Sequence, residues 1–583
     1  MPRICRVAPD VTAVERVFDY LVPDALAALV RVGAIVRVPL HGRRVRGWVV
    51  EDDVRADTHE RLLEIAAVAS DGPPAGVVDL AGWVAWRWAG PRIAVLRSAS
   101  APNRVAPTPT PSATPSELAS VWRPMDAKLT PVRRVMVVRR PPLFDRRELV
   151  ASMCAADGST LVAVSDGSRA RSLSAYLRKA GRVVAFVHSD ESDAARTEAW
   201  RRAARGGCVV VGGRTAALAP VPDLAAAIVV DDADESLQEE RSPTWHARDV
   251  LYERAARAGA PWSVVSPAPT VEALALAPGH LDALPPDVET RGWPRPLVVD
   301  RREEPPGAGL LTESLVVALR EAGGPAVCVL NRRGRFRVLA CDACHALLRW
   351  DRAVERPMIC DECGATRLRV LRAGVTRVRE EMAALFPRQR VVDVDAATEE
   401  VADADIVIGT ESALHRPEIR RRRPALVAFL DLDQELLAPR YRAAAQAHWL
   451  TTRGAQLLAS RPRDETRLVV QTRQPDHEVV RALVKGHPGI VADAESARRA
   501  ALEFPPFGAL AEISGDDDAV LASLEPLRGL DPAAATVRVL GPTDGRALVV
   551  APTPDVLADA LRLVHAAARA TGRVRVVVDP PRV

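Results

Sequence analysis

Two Cys-x2-Cys pairs carry the most specific chemistry in this sequence. Cys341-Asp-Ala-Cys344 and Cys360-Asp-Glu-Cys363 stand fifteen residues apart. Each pair can form one knuckle, and two knuckles at ribbon spacing can place four thiolates around one tetrahedral zinc ion. Four cysteine ligands leave no open position, so the site expected is structural, with one zinc per chain. The other four cysteines, Cys5, Cys154, Cys208 and Cys328, stand alone. They are expected to be small buried hydrophobes, because disulfides are rare in a reducing compartment. A second chemistry is marked by an absence. Lysine occurs only at Lys128, Lys179 and Lys485, and none of these follows a glycine and precedes Ser or Thr. A Walker A loop needs a compact ammonium at that point to reach between two phosphates. The whole chain therefore lacks a standard phosphate loop.

The elements that must position these residues follow from periodicity. Residues 1–70 read as short strands, with RVFDYLV, GAIVRVPL and RVRGWVVEDDV alternating apolar and polar positions. A helical stretch bearing Trp83, Trp86 and Trp88 follows, and Asn103 to Ser120 has the Pro, Thr and Ser content of a linker. From about residue 131 to 285, continuous apolar runs such as TLVAVSD, CVVVGG and AAAIVVDDAD alternate with amphipathic stretches. That pattern indicates a parallel sheet in an α/β layer. A second series (AVCVLNRR, RVVDVDA, ADIVIGT, ALVAFLDLD) indicates another such unit, with the cysteine cluster inserted in it. The last hundred residues suggest a smaller α/β or α+β domain.

The 583 residues predict several domains, and a hydrophobic fraction of 48% excludes a disordered chain. No apolar run approaches the ~18 residues of a membrane-spanning helix, and the N-terminus has no secretory pattern, so no membrane partner and a cytoplasmic location are expected. A net charge of +4 does not by itself announce a nucleic-acid partner. The strong preference for arginine over lysine reads mainly as a GC-rich coding bias.

Several segments, in order, resemble the primosomal protein N′ (PriA) family. FDYLVPDAL (Phe18 to Leu26) with GAIVRVPLHGRRVRGWVV resembles the 3′-DNA-binding domain that opens that family. VHSDESDAARTEAWRRAARGGCVVVGGRTAAL, PTWHARDVLYERA, CVLNRRGRF, the cysteine knuckles, DIVIGTESAL, AFLDLDQELLAPRYRAA and EFPPF follow collinearly. The resemblance implies a β-rich 3′-DNA-binding domain (1–104), a linker (105–130) and a first RecA-like helicase lobe (131–285). It further implies a second lobe (286–334 and 376–474), a zinc-ribbon insertion (335–375) and a small C-terminal α/β domain (475–583). It implies a protein that recognises abandoned or stalled replication forks, promotes primosome assembly and prepares reloading of the replicative helicase. Forked and single-stranded DNA, single-stranded-DNA-binding protein and the helicase-loading machinery are the implied partners. Phe18, Asp19, Tyr20 and Gly42 match the pocket that receives a DNA 3′ end. An aromatic face stacks on any base and a carboxylate accepts from a sugar hydroxyl, so an end can be read without its sequence. Alternating core aromatics would explain Phe18 and Tyr20 as well. No basic residue completing the pocket is evident; Glu64 lies near that position.

The departures from the family bear on ATP. Where a strand should lead into a glycine-rich loop, the chain reads RVMVVRRPPLFDRREL (Arg134 to Leu149), with no glycine between Pro131 and Asp157. The DEEH box is here Asp231-Asp232-Ala233-Asp234. Asp231 could still hold magnesium, but Asp232 is one methylene shorter than the glutamate that positions the attacking water. The GSATPS motif has become Val265 to Thr270, and the arginine-finger motif has no clear counterpart, with Arg453 and Arg461 as candidate relics. Gly212 to Thr215 resembles a phosphate loop superficially but matches a later helicase motif. Asp231 and Asp232 thus mark a degenerate ATP site, no catalytic residue is assigned, and ATP and magnesium are not expected as cofactors. The alternative is an active ATP-dependent 3′–5′ DNA helicase with an atypical site.

Overall fold

The computed structural model describes residues 3–11, 16–55, 62–107, 132, 134–304, 309–331, 336–341, 343–344, 347–351, 360, 362–363, 365, 368–370, 375–395, 397–398, 400–528, 537–572 and 574–582. Contacts divide the chain into two units. The first comprises Met1–Val138, Arg146–Asp282 and Ala497–Val583; the second comprises Arg139–Asp145 and Ala283–Ser496.

The first unit opens with a six-stranded sheet. Its strands are β1 (Ile4–Pro9), β2 (Phe18–Leu21), β3 (Ile35–Leu40), β4 (Arg43–Asp52), β5 (Leu63–Glu64) and β6 (Ala67–Ser70), in the order β5-β2-β1-β4-β3-β6. β3 and β4 form a hairpin whose two loop residues, His41 and Gly42, both have positive φ, +48° and +75°. This backbone matches the right-handed twist of the flanking strands, and glycine adopts it without steric cost. Trp48 on β4 is fully buried and donates its indole N–H to Ser100. Helices Ala75–Arg87 and Arg92–Ala99 cover the sheet's inner face. Gly33 lies so close to Pro73 that a Cβ would stand 1.7 Å from its carbonyl oxygen, which ties the first helix to the sheet.

A seven-stranded sheet follows in the same unit, made of β7 (Val135–Arg139), β8 (Ser159–Val164), β9 (Val184–Val187), β10 (Val209–Gly212), β11 (Leu224–Val230), β12 (Trp262–Ser266) and β13 (Leu281–Ala283). The order is β13-β7-β12-β11-β8-β10-β9, with β8 to β12 paired in parallel. All six residues of β8 are buried, as a strand covered on both faces requires. Side-chain caps define the crossover helices: Asp166 accepts from the Arg169 N–H, and Ser192 from the Ala195 N–H.

The second unit holds a six-stranded parallel sheet. It is built from β14 (Pro296–Asp300) and β15 (Ala326–Val329), then, after the insertion strands β16 (Phe336–Cys341), β17 (Leu347–Asp351) and β18 (Leu368–Val370), from β19 (Val391–Val394), β20 (Ile406–Gly409), β21 (Leu426–Phe429) and β22 (Arg467–Thr472). Its order is β14-β22-β21-β15-β20-β19, and the insertion is a separate antiparallel sheet, β17-β16-β18. The chain is thus multidomain α/β, with a β-rich N-terminal domain, two lobes built on parallel sheets and a three-stranded insertion.

The final strands, β23 (Ala509–Gly515), β24 (Arg538–Thr543), β25 (Arg546–Ala551) and β26 (Val574–Val578), form an antiparallel sheet backed by helices Asp517–Arg528 and Pro554–Thr571. The C-terminal domain starts later than residue 475. Helix Glu478–Lys485 buries Val479, Val480, Ala482 and Leu483 in the core of the second lobe, and residues up to Ser496 stay with that unit. Residues 108–131, most of the expected linker, lie outside the described residues. No helix among the described residues is long and apolar enough to cross a membrane.

Candidate functional site

In the N-terminal domain, β2 runs antiparallel to β1, with Phe18 opposite Val7, Asp19 opposite Arg6 and Tyr20 opposite Cys5. Period-two alternation puts Phe18 and Tyr20 on one face and Asp19 on the other. Tyr20 is 3% exposed in the core, and its hydroxyl donates to the Pro39 carbonyl at 3.0 Å, so it serves packing. Phe18 is half-buried against the same core. The Asp19 carboxylate accepts from the Arg6 guanidinium at 3.2 Å, and the same guanidinium reaches Glu51 at 2.7 Å. Gly42 stands at the exposed hairpin tip with nothing near its Cβ position. Asp19 and the two aromatics thus lie on opposite faces of β2, with Gly42 at the tip of the β3–β4 hairpin. The tip also carries exposed Arg43 and Arg44, with exposed Arg37 further along β3. Sequence reading missed this cationic hairpin, although the HGRR turn was its signal.

At the nucleotide region, β7 leads directly to Pro141 and Pro142. Arg139 forms a bidentate pair with Glu289 at 2.6 and 2.8 Å, and the Leu143 N–H donates to the Gly292 carbonyl. A Cβ on Gly292 would stand 2.3 Å from Pro141, so this segment is packed against protein where a glycine-rich loop would wrap phosphate. Asp231 follows the carboxyl end of β11. It is fully buried and adopts φ +62°, a left-handed conformation that Asp tolerates better than most residues. Its two oxygens accept from Arg146 at 2.6 and 3.2 Å and from Arg169 at 2.8 Å. Two guanidinium ions thus neutralise this buried carboxylate. Neither arginine was foreseen from sequence; the signal available was that a buried carboxylate must be matched by cations.

Asp232 is also buried, and its Oδ2 accepts from both the hydroxyl and the N–H of Thr270. Thr270 in turn caps helix Val271–Leu276, so two residues singled out by motif are in contact. Burial outweighs the nearby Arg248 charge and these hydrogen bonds, and pushes the Asp232 carboxyl up to about 6. Asp234 caps the turn at Ser236. Arg453 lies buried within the second lobe, bonded to His415 at 3.0 Å. Arg461 bonds the Arg423 carbonyl at 2.5 Å. Both are engaged in lobe structure.

The four knuckle sulfurs do converge. Cys341 and Cys363 Sγ are 3.5 Å apart, as are Cys344 and Cys360, and all four lie within 4.8 Å of one another. A tetrahedron with metal–sulfur bonds of about 2.3 Å has edges of roughly 3.8 Å, so the donor set fits one zinc-sized ion. N–H groups of Cys344 and Ala343 aimed at its sulfur draw the Cys341 thiol down to about 7. Cys363 is favoured as thiolate by the Ala365 N–H, yet its hydrogen bonds with the other thiols push it up to about 12. The thiols face one another at hydrogen-bonding distance, and binding a metal ion there would release their protons. The lone cysteines are all buried, and burial pushes Cys5 and Cys328 to about 12.

Comparison with known proteins agrees with this architecture. Residues 6–101 match the family model described as a 3′ DNA-binding domain. The chain is 30% identical to the probable replication restart protein PriA of Mycobacterium bovis and equally to that of Mycobacterium tuberculosis, over 91% of this chain and 89% of each relative. The replication restart protein PriA of Treponema pallidum is 31% identical over 56% of this chain and 55% of its own length. With a matching 3′ DNA-binding domain and identity sustained over nine-tenths of its length, the chain belongs to the PriA family of replication restart proteins.

Proposed function

We propose that this chain binds abandoned replication forks and promotes primosome assembly and helicase reloading in the cytoplasm, without helicase activity of its own. The observation that carries the reading is the Asp231 carboxylate, fully buried and held by Arg146 and Arg169. A magnesium–ATP complex would have to displace two charge-assisted pairs and would find no backbone N–H cradle along Arg139–Asp145. DNA binding is supported by the 3′ DNA-binding domain, in which the exposed β3–β4 hairpin offers Arg43 and Arg44 to phosphate. The four-cysteine ribbon would hold one structural zinc. Single-stranded-DNA-binding protein and the helicase-loading machinery are the partners this role requires.

The test is binding of purified protein to a fork with a 3′ end at the branch, against blunt duplex, with ATP turnover followed in the same tubes. Expected are at least ~10-fold preference for the fork, no dependence on ATP and no turnover. The double variant Arg43→Glu/Arg44→Glu is expected to weaken fork binding and to reduce the salt slope by about 2, since each lost phosphate contact removes ~0.9. DNA-stimulated hydrolysis would instead establish an atypical helicase.

A further inference from the structure

Strand β9 is the last strand of the first lobe's sheet, so one side of it has no strand neighbour. Helices Gly167–Lys179 and Asp193–Arg205 immediately precede and follow it and both pack on it. Crossing from β8 to β9 and back to β10, they lie on opposite faces of the sheet and leave a groove of about 670 Å³ whose floor is the free edge of β9. The Val209 N–H donates to the Val183 carbonyl, and the pairing is parallel. Val183, Ala185 and Val187 therefore turn their backbone groups towards β10, and Val184 and Phe186 turn theirs into the groove.

The walls are cationic. Arg171, Arg178, Arg182 and Arg202 line the groove, and Glu191 is its one carboxylate. Glu191 is already paired with Arg171 at 3.2 Å. Arg182 donates to the Ala155 carbonyl. The guanidinium groups of Arg178 and Arg202, one on each helix, have no carboxylate or carbonyl partner among the described residues.

We propose that this groove captures an extended acidic peptide, which adds to β9 as a parallel or antiparallel strand while its carboxylates meet Arg178 and Arg202. A strand of four residues spans about 13 Å, so the occupant is a segment of roughly four to six residues. Carboxylates flanking an apolar, ladder-forming core complement both features of the groove: an unsatisfied strand edge and cations on both rims. A nucleic-acid strand would use the arginines but leave the donors and acceptors of Val184 and Phe186 unmatched, and so is the less complete fit.

The experiment uses the full chain and a fluorescein-labelled hexapeptide, Asp-Asp-Val-Val-Asp-Asp, whose flanking carboxylates point to both faces of the sheet, with Lys-Lys-Val-Val-Lys-Lys and a six-nucleotide oligothymidylate as controls. Saturable anisotropy is expected with the acidic peptide and not with the basic one, at least ~10-fold weaker in Arg178→Glu/Arg202→Glu and weakened by salt, whereas oligonucleotide binding at the 3′ DNA-binding domain is expected to stay within ~3-fold in that variant. Two N-methylated peptides test the ladder without altering the protein: methylating one alternate set of amides is expected to abolish binding and the other to leave it within ~3-fold, since alternate amides face the edge. No binding of the acidic peptide, equal tolerance of both methylation patterns, or oligonucleotide binding that is lost in Arg178→Glu/Arg202→Glu while peptide binding is kept would each overturn the proposal. Should the charge-reversed protein misfold, the methylation pair still decides.

Discussion

Asp231 is a fully buried carboxylate on which Arg146 and Arg169 converge. Removing Arg146 or Arg169 takes one cation from this buried carboxylate, and removing both takes two. Breaking a buried pair costs about 3–5 kcal/mol, so Arg146→Ala/Arg169→Ala is expected to lower the unfolding free energy of the first unit by that order, and each single variant by less. Denaturant midpoints of the three variants check this; additive, small effects would mean that the pairs are dispensable. Two further buried groups make acid act oppositely on the two units. Burial raises Asp232 from the usual 3.8 to about 6 in the first unit. The folded form there binds the proton more tightly, so this contribution is full below pH 3.8 and lost as pH rises through about 6. Burial lowers His448 from the usual 6.5 to about 4 in the second unit. Its ring nitrogens have no hydrogen-bond partner among the described residues, and stability there is lost as pH falls from 6.5 towards 4. Each effect amounts to up to about 3 kcal/mol. Hydrogen exchange between pH 4.5 and 7 resolves the two units, and Asp232→Asn and His448→Phe should each flatten only their own profile.

Among the elements, the ribbon insertion is a three-stranded sheet separate from that of the second lobe. Its strands, β16 to β18, are short, and its four cysteines, Cys341, Cys344, Cys360 and Cys363, converge on one point. One zinc per chain by elemental mass spectrometry is expected, falling below a tenth in Cys360→Ser. Chelation should raise amide exchange across 336–370 while moving the melting of both lobes by less than about 2 °C, because a small peripheral site contributes mostly to its own folding. A protein that carries no metal, with an unchanged ribbon, would refute this. The β3–β4 hairpin shows the opposite balance: its turn chemistry was readable as HG between alternating strands, and the backbone angles at His41 and Gly42 follow from it. The β2 aromatics illustrate where pattern runs out. An alternating F-D-Y triplet states which residues share a face, but not whether that face meets DNA or the core; the fold turned Tyr20 inward.

For the whole molecule, the C-terminal sheet is structurally part of the first unit. Trp86 donates to Asp559, Arg87 pairs with Asp579 at 3.0 Å, and Gln238 and Thr244 donate to the carbonyls of Asp579 and Val578. Apolar residues of β23, β25 and helix Pro554–Thr571 join the same core as helix Ala75–Arg87 and the first lobe. Deleting 497–583 is therefore expected to lower the melting midpoint of the first unit by about 10 °C or more, as several kcal/mol of burial are lost, and to leave that of the second within about 2 °C. Calorimetry of the truncated chain checks this; an unchanged first transition would show that the domain is only appended.

The sequence by itself determined the chemistry that depends on residue type and short spacing. Two Cys-x2-Cys knuckles suffice to specify a four-thiolate site, a run without glycine or lysine suffices to exclude a standard phosphate loop, and continuous apolar strands suffice to specify parallel sheets. Collinear segments sufficed for the family. Tertiary structure alone decided what depends on long-range neighbours: that Arg146 and Arg169 meet on Asp231, that residues 478–485 close the second lobe, and that the last sheet shares the first lobe's core. The physical reason is common to all three. Ion pairing and core membership are set by which surfaces meet across scores of residues, and local periodicity carries no information about that partner.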